Sequence, residues 1–308
     1  MVQSPAPAHG DRAYPARRTR DQLLRSTPAP TGGWSQPVEP PPNPERFNLT
    51  DAQWKAIASS IPIPAWFQGR GGQPEAYCHR EMLDAMLYLV DNGTKWRALP
   101  VDFPHWKAVH RCFTRWRERG VIDVLHDRLR RRCRQAEGRA PEPTAVIIDS
   151  QSLRAAETVG AESRGYDAGK KVNGRKRHIA VDTLGLLLVV YVTAAGTQDR
   201  DGARPLLSRL ARTCLRIRLA WADGGYAGQL AGWAKEKLRI AVQIVKRSDD
   251  ATGFVVLPRR WVVERTLSWL VRRRRCVRDY ERLTSSHEAM VRLAMILPMA
   301  RRLARSGR

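Results

Sequence analysis

The chain has 308 residues and carries 54 Lys and Arg against 30 Asp and Glu, a net charge of +24 at neutral pH. Such a chain repels cations and binds polyanions by counterion release, so nucleic acid is the leading partner, ahead of an anionic membrane surface or an acidic protein. With 43% hydrophobic residues it has material for a core, and its length allows roughly two domains on a prior of about 100–200 residues each.

Residues 1–45 hold ten of the twenty prolines and few large apolar side chains, so they are expected to form a disordered tail. The N-terminus lacks the apolar segment of a signal peptide. A folded unit is expected from Phe47. Thr50 or Asp51 suits an N-cap for a helix running to about Ser60, before Pro62 and Pro64. A second helix is predicted over His79–Asn92, where Met82, Leu83, Met86, Leu87, Leu89 and Val90 recur at helical spacing and Gly93 suits a C-terminal cap. A third spans about Trp106 to Arg119 and a fourth about Val121 to Arg134, with Gly120 between them. On the third, Lys107, Arg111, Arg115 and Arg117 are placed on an outer face, and Trp106, Val109, Phe113 and Trp116 toward a core. This is the outline of a helix-turn-helix DNA reader; a plain helical bundle kept soluble by its charges is the alternative.

Residues 136–143 read as a linker, and from Thr144 the pattern turns to strands. Strands are predicted at Ala145–Asp149, Arg175–Asp182, Leu186–Ala194, Arg216–Ala222 and Ile240–Lys246, with helices near 202–212 and 228–237. A long basic helix begins near Arg259. The apolar run from 184 to 195 is shorter than the roughly 20 residues of a membrane helix and reads as a buried strand. Three strands, helix, strand, helix, strand, helix is the order of an RNase H-like α/β domain. None of the five cysteines forms a Cys-x-x-Cys pair, so they read as thiols in a reducing cytosol. No Walker loop is present, which argues against ATP use.

Three acids stand out. Asp149 ends the apolar run from Ala145, Asp223 ends the run from Leu219 and precedes Gly224-Gly225, and Glu264 lies in the Arg/Trp-rich helix. Hard divalent cations take oxygen ligands. Two of them about 4 Å apart activate an attacking oxygen and neutralise a leaving one at a phosphodiester. Asp182 instead reads as a hairpin-turn residue, and Asp199 and Asp201 as residues at a helix start. His178 reads as a core or edge histidine more readily than as a phosphate contact. Gly224-Gly225 reads as a place where DNA approaches the backbone closely.

The order of motifs is specific where each alone is weak. The segments are Leu49-Thr50-Asp51-Ala52-Gln53-Trp54, Gly93-Thr94-Lys95-Trp96-Arg97-Ala98-Leu99-Pro100, Phe113-Thr114-Arg115-Trp116, Ile148-Asp149-Ser150, Gly174-Arg175-Lys176-Arg177-His178, Asp182-Thr183-Leu184-Gly185, Ala222-Asp223-Gly224-Gly225-Tyr226, Trp261-Val262-Val263-Glu264-Arg265-Thr266 and Asp279-Tyr280-Glu281. In this order they resemble the DDE transposases of bacterial insertion sequences, specifically the IS-five-like group of the IS-four superfamily, over about residues 47–285. The resemblance implies an RNase H-like catalytic domain at 144–285. Before it come a helical, helix-turn-helix-like DNA-binding domain at 46–135 and the linker at 136–143; residues 286–308 are left as a basic C-terminal helix or tail. It makes Asp149, Asp223 and Glu264 the catalytic and metal-binding triad, holding two Mg²⁺ (or Mn²⁺) ions. In the related pattern a Tyr and an Arg flank the Glu and a basic residue follows; here Trp261 stands three residues before Glu264, and Arg272 is the best match for the later basic position.

The implied activity is cleavage of DNA at terminal inverted repeats and joining of the 3′ ends to target DNA. A homodimer in a synaptic complex, cytoplasmic and at the nucleoid, would perform it, without a membrane partner. Expected DNA contacts are Lys107, Arg111, Arg115, Lys170, Lys171, Arg175, Lys176, Arg177, Arg265 and the run Arg272, Arg273, Arg274, Arg275. The alternatives are an inactive DNA-binding regulator and an RNase H-like nuclease without strand transfer.

Overall fold

The computed structural model describes residues 49–62, 77–245 and 258–306, so the Pro-rich segment lies outside the described residues. Four helices open the described chain: α1 (Asp51–Ala58), α2 (His79–Asn92), α3 (Trp106–Glu118) and α4 (Val121–Ala136). Helix α1 begins with a capping box, in which the Thr50 hydroxyl accepts from Gln53 N and the Gln53 side chain accepts from Thr50 N. Gly93 closes α2 at φ 69°, a left-handed conformation that costs glycine least. A Cβ there would also stand 3.0 Å from Arg274 Cβ, so the end of α2 is a close contact with the far end of the chain.

The second half alternates strands and helices: β1 (Ala145–Arg154), β2 (Gly165–Asp167), β3 (Val172–Val181), β4 (Leu187–Ala194), α5 (Asp199–Thr213), β5 (Leu219–Ala222), α6 (Gln229–Leu238), β6 (Ala241–Ile244), α7 (Pro258–Val271) and α8 (Thr284–Ser306). The sheet order is β2-β3-β1-β5-β6, with β4 also paired to β3. Strand β1 runs antiparallel to β3 and parallel to β5. This is a mixed α/β architecture with helices on both faces of the sheet.

Side-chain alternation along β1 divides the core in two. Ile147, with Ile179 and Val190, joins a core that includes α7 (Val263, Leu267, Leu270), α8 (Met290, Leu293, Leu297) and the N-terminal helices (Leu83, Phe113, Leu125). Val146, Ile148 and Ala180 face the other way, against α5 (Leu206, Leu207, Leu210) and α6 (Leu230, Ala234). Gly202 of α5 lies against His178, where a Cβ would stand 2.1 Å from the imidazole.

The C-terminal segment expected as a basic helix or tail is helical as far as Ser306, and α8 buries a long apolar face against α1, α2, α4 and β4. Its terminal arginines mask a regular apolar stripe, Met290, Leu293, Leu297 and Ala300. Strand β1 continues five residues past Asp149, which therefore sits mid-strand; β3 holds it there by pairing as far as Arg154. The short strand β2 has no apolar run to announce it.

Candidate active site

Asp149 and Asp223 are brought together by strand register. Ile147 pairs with Trp221 in the parallel β1–β5 ladder, and two residues further along each chain stand the two aspartates. Asp223 Oδ1 accepts a hydrogen bond from Gly225 N at 2.9 Å and so caps the turn Gly224–Tyr226. Asp149 shares its sheet face with Ile147, the face on which α7 packs. Glu264 projects from α7 as an exposed carboxylate. One turn earlier on the same helix, Arg260 Nη2 lies 3.8 Å from Asp223 Oδ2 and 3.6 Å from Glu264 Oε1, bridging the second and third acids.

Burial pushes the Asp149 carboxyl up to about 6, and the negative charge of Asp223 adds to the rise. The Ser150 N–H, which donates to Asp149 Oδ1 at 2.7 Å, and the cations Lys170 and Arg260 oppose the shift without cancelling it. Among the described residues no group of three His, Cys, Asp or Glu side chains is arranged to hold a metal ion as it stands. The donor set does fit a hard divalent cation: Asp149 and Asp223 are oxygen donors, side by side, and burial makes the charged form of Asp149 costly without a further cation.

Residues 140–298, more than half of the chain, match the family described as Transposase DDE domain. The chain belongs to that family. Residues 49–126 match a second family, described as "Putative transposase of IS4/5 family". Curated relatives include "Uncharacterized protein y4sN" of Sinorhizobium fredii, 37% identical over 77 residues, covering 25% of this chain and 58% of the relative. Another is "Putative transposase for insertion sequence element IS402" of Burkholderia cepacia, 31% identical over 131 residues, covering 40% of this chain and 62% of the relative. A second IS402 protein of that organism, "Insertion element IS402 uncharacterized 16.2 kDa protein", is 27% identical over 110 residues, 35% of this chain and 73% of the relative. The chain therefore spans about three-fifths of the length of the first two relatives. No solved structure matches.

The basic residues of this DDE-family chain divide sharply. Lys107 and Arg111 on α3, Lys170 and Lys171 in the β2–β3 turn, and Arg272 and Arg274 after α7 are exposed. Arg115, Arg265 and Arg273 are half-buried. Arg265 stacks on Trp269 and donates to Leu184 O, and Arg273 pairs with Asp91 at 2.5 Å. Four expected DNA contacts are corrected by burial. Arg175 pairs with Asp279 at 3.1 Å and donates to the Glu281 and Arg282 carbonyls. Arg177, pushed down to about 10 by burial, donates to Cys276 O and Gln151 Oε1. Lys176 donates to Asp199 and to Thr197 O. Arg275 pairs with Glu281 at 2.7 Å and reaches Thr94 O. A buried cation needs such partners, so none of these four is available to phosphate.

Helix α7 ends at Val271, where the Arg272 N–H still makes the helical bond to Ser268 O, and residues 274–276 form a separate 3-10 turn, so Arg273, Arg274 and Arg275 leave the helix that carries Glu264. His178 is a buried core residue beside Thr193, held well below its usual range, about 4, chiefly by burial. The i,i+4 spacing of Arg260 from Glu264 already allows that ion pair in the sequence; its second contact, to Asp223, comes from the fold.

Proposed function

We propose that this chain cuts DNA at the ends of an insertion element and joins the freed 3′ ends to target DNA. Asp149, Asp223 and Glu264 are the residues we assign to catalysis. The observation that carries this reading is the parallel register that sets Asp149 beside Asp223, with Asp149 pushed up to about 6 chiefly by burial and further by the Asp223 charge. The strand order supports an RNase H-like arrangement for the catalytic half, residues 144–285, and α1–α4 supply the proposed recognition region for terminal repeats.

Asp149 and Asp223 would hold Mg²⁺ or Mn²⁺, with Glu264 completing the set. When bound, two such ions supply activation of the attacking oxygen and neutralisation of the leaving one. The protein's own groups do the rest. Arg260 holds Asp223 and Glu264 together and keeps a positive charge where phosphate enters. Lys170, close enough to lower the Asp149 proton affinity, faces solvent at the mouth of the site. Lys171, Arg272 and Arg274 offer exposed charges to the DNA backbone, and Lys107 and Arg111 do so from α3. Two copies acting on two element ends is the proposed assembly, at the nucleoid. Among the described residues no helix is long and apolar enough to cross a membrane.

The test is a strand-transfer assay with labelled terminal-repeat DNA and Mg²⁺. Nicked ends that appear in target DNA support the proposal. Cleavage without joining identifies a nuclease, and binding without cleavage identifies a DNA-binding regulator.

A further inference from the structure

Lys176 is the most buried lysine on the sheet and lies on the face opposite Arg175 and Arg177, toward α5. Its Nζ lies 2.9 Å from Asp199 Oδ1, 2.8 Å from Thr197 O and 3.4 Å from Asp167 Oδ2. These contacts join two parts of the site's frame, the end of β2 and the start of α5. Asp167 ends β2, accepts the Ser152 hydroxyl at 2.5 Å and accepts Lys170 N at 3.1 Å, so it shapes the turn that carries Lys170 and Lys171. Asp199 opens α5, and its Oδ1 also accepts the Ser150 hydroxyl at 2.7 Å. Ser150 in turn gives its N–H to Asp149. The other oxygen of Asp199 faces the turn capped by Asp223, since a Cβ on Gly225 would stand 3.6 Å from Asp199 Oδ2 and 3.1 Å from Asp223 Oδ1.

We propose that Lys176, Asp199 and Ser150 form a positioning relay that ties the Lys170–Lys171 turn, through Asp167, to the strand position of Asp149. The relay rests on the assignment of Asp149 to catalysis. None of its members touches substrate; they act by fixing where Asp149 stands. Ser150 and Asp149 are adjacent on β1 and point to opposite faces, so anchoring the Ser150 side chain on the α5 face sets how far Asp149 projects on the α7 face. A phosphate that draws on Lys170 strains the same turn that Asp167 and Lys176 hold. The charge balance agrees with a structural anchor: burial alone would raise Asp199, yet its hydrogen bonds to Lys176 and Ser150 outweigh that and hold it below the usual carboxylate range. Asp167 is likewise held at about 2, first by the Ser152 hydroxyl.

The experiment is single-turnover cleavage of terminal-repeat DNA by the full chain, comparing wild type with Ser150→Ala, Ser150→Thr, Lys176→Met and the Ser150→Ala/Lys176→Met double variant. Thermal melting and DNA affinity are measured on each. Misplacing a catalytic group by about 1 Å costs on the order of a hundredfold in rate. Ser150→Ala is expected to slow cleavage at saturating DNA at least tenfold, with KM unchanged and folding intact. Ser150→Thr, which keeps the hydroxyl, should recover most of the rate. The double variant should be no slower than the slower single variant, because both break one path. Wild-type rates in Ser150→Ala, or fully additive losses in the double variant, overturn the relay. If Lys176→Met fails to fold, Ser150→Ala and Ser150→Thr decide the matter alone. If wild type cuts and Asp149→Asn is dead while Ser150→Ala is normal, the relay fails and the catalytic assignment stands. If wild type binds but never cuts, both fall.

Discussion

Strand β3 and helix α3 are both rich in cations and treat them in opposite ways. On β3, Arg175, Lys176 and Arg177 are all buried, and each is matched to acceptors on other elements. On α3, Lys107 and Arg111 face solvent while Val109, Phe113 and Trp116 enter the core. A strand with neighbours on both edges and helices over both faces has no solvent side, so every cation on it must be paired inside. A helix at the surface keeps an outer face whatever its neighbours do. Net charge therefore measures how strongly the chain attracts DNA, and only the fold decides which cations take part.

The largest effect is expected where that contrast is sharpest. Arg175→Ala leaves Asp279 buried with one partner fewer, and breaking a buried pair costs about 3–5 kcal/mol. Thermal or urea unfolding should show a loss of that size, against less than about 0.5 kcal/mol for Arg111→Ala at the surface. Comparable stability for the two variants would erase the distinction drawn between β3 and α3.

Asp149 sharpens the comparison from the anionic side, as a buried charge that the fold leaves under-compensated. Its folded value, about 6, lies above its ordinary value of 3.8, so the folded state binds the proton more tightly than the unfolded chain. The resulting penalty is absent below about pH 4, grows between 4 and 6 and is complete above 6. In metal-free buffer Asp149→Asn should therefore be more stable than wild type at pH 8, by on the order of 2–3 kcal/mol, and equal to it near pH 4. Equal melting temperatures at pH 8 would mean that burial costs the Asp149 carboxylate little.

Gly93→Ala probes where the helical region meets the chain after α7. Its φ of 69° and the 3.0 Å approach of Arg274 Cβ both oppose a side chain. A loss of about 1 kcal/mol or more is expected in unfolding experiments. The smallest effect is on DNA. Arg111→Ala should lower the slope of log affinity against log salt by about 0.9, one phosphate contact, in a titration with duplex DNA. An unchanged slope would place DNA elsewhere than on α3.

Much of the architecture was legible from local pattern. Helix α2 spans the His79–Asn92 stretch marked by its apolar spacing and by Gly93, and the hairpin of β3 and β4 follows alternation around Gly185. Local pattern failed where long-range partners decide the outcome. Arg175 is buried because of Asp279, and Arg177 because of Cys276 O, each about a hundred positions away. The C-terminal segment was legible as a basic helix or tail, but the burial of its apolar stripe against α1, α2, α4 and β4 was not. At the site, the sequence marks Asp149, Asp223 and Glu264, although it ends the first strand at Asp149, which in fact sits mid-strand. It does not reveal that Arg260 bridges two of them, or that Ser150, Asp199 and Lys176 stand behind the third.

The central claim is that Asp149 and Asp223, set side by side by the β1–β5 register, cut DNA with a divalent cation. The most direct measurement is single-turnover cleavage of terminal-repeat DNA by wild type, Asp149→Asn and Asp223→Asn, in Mg²⁺ and in chelator, with DNA affinity measured in parallel. The account predicts cleavage by wild type in Mg²⁺ alone, and loss of cleavage in both variants with affinity nearly unchanged. Wild-type cleavage rates in either variant, or undiminished cleavage in chelator, would contradict it.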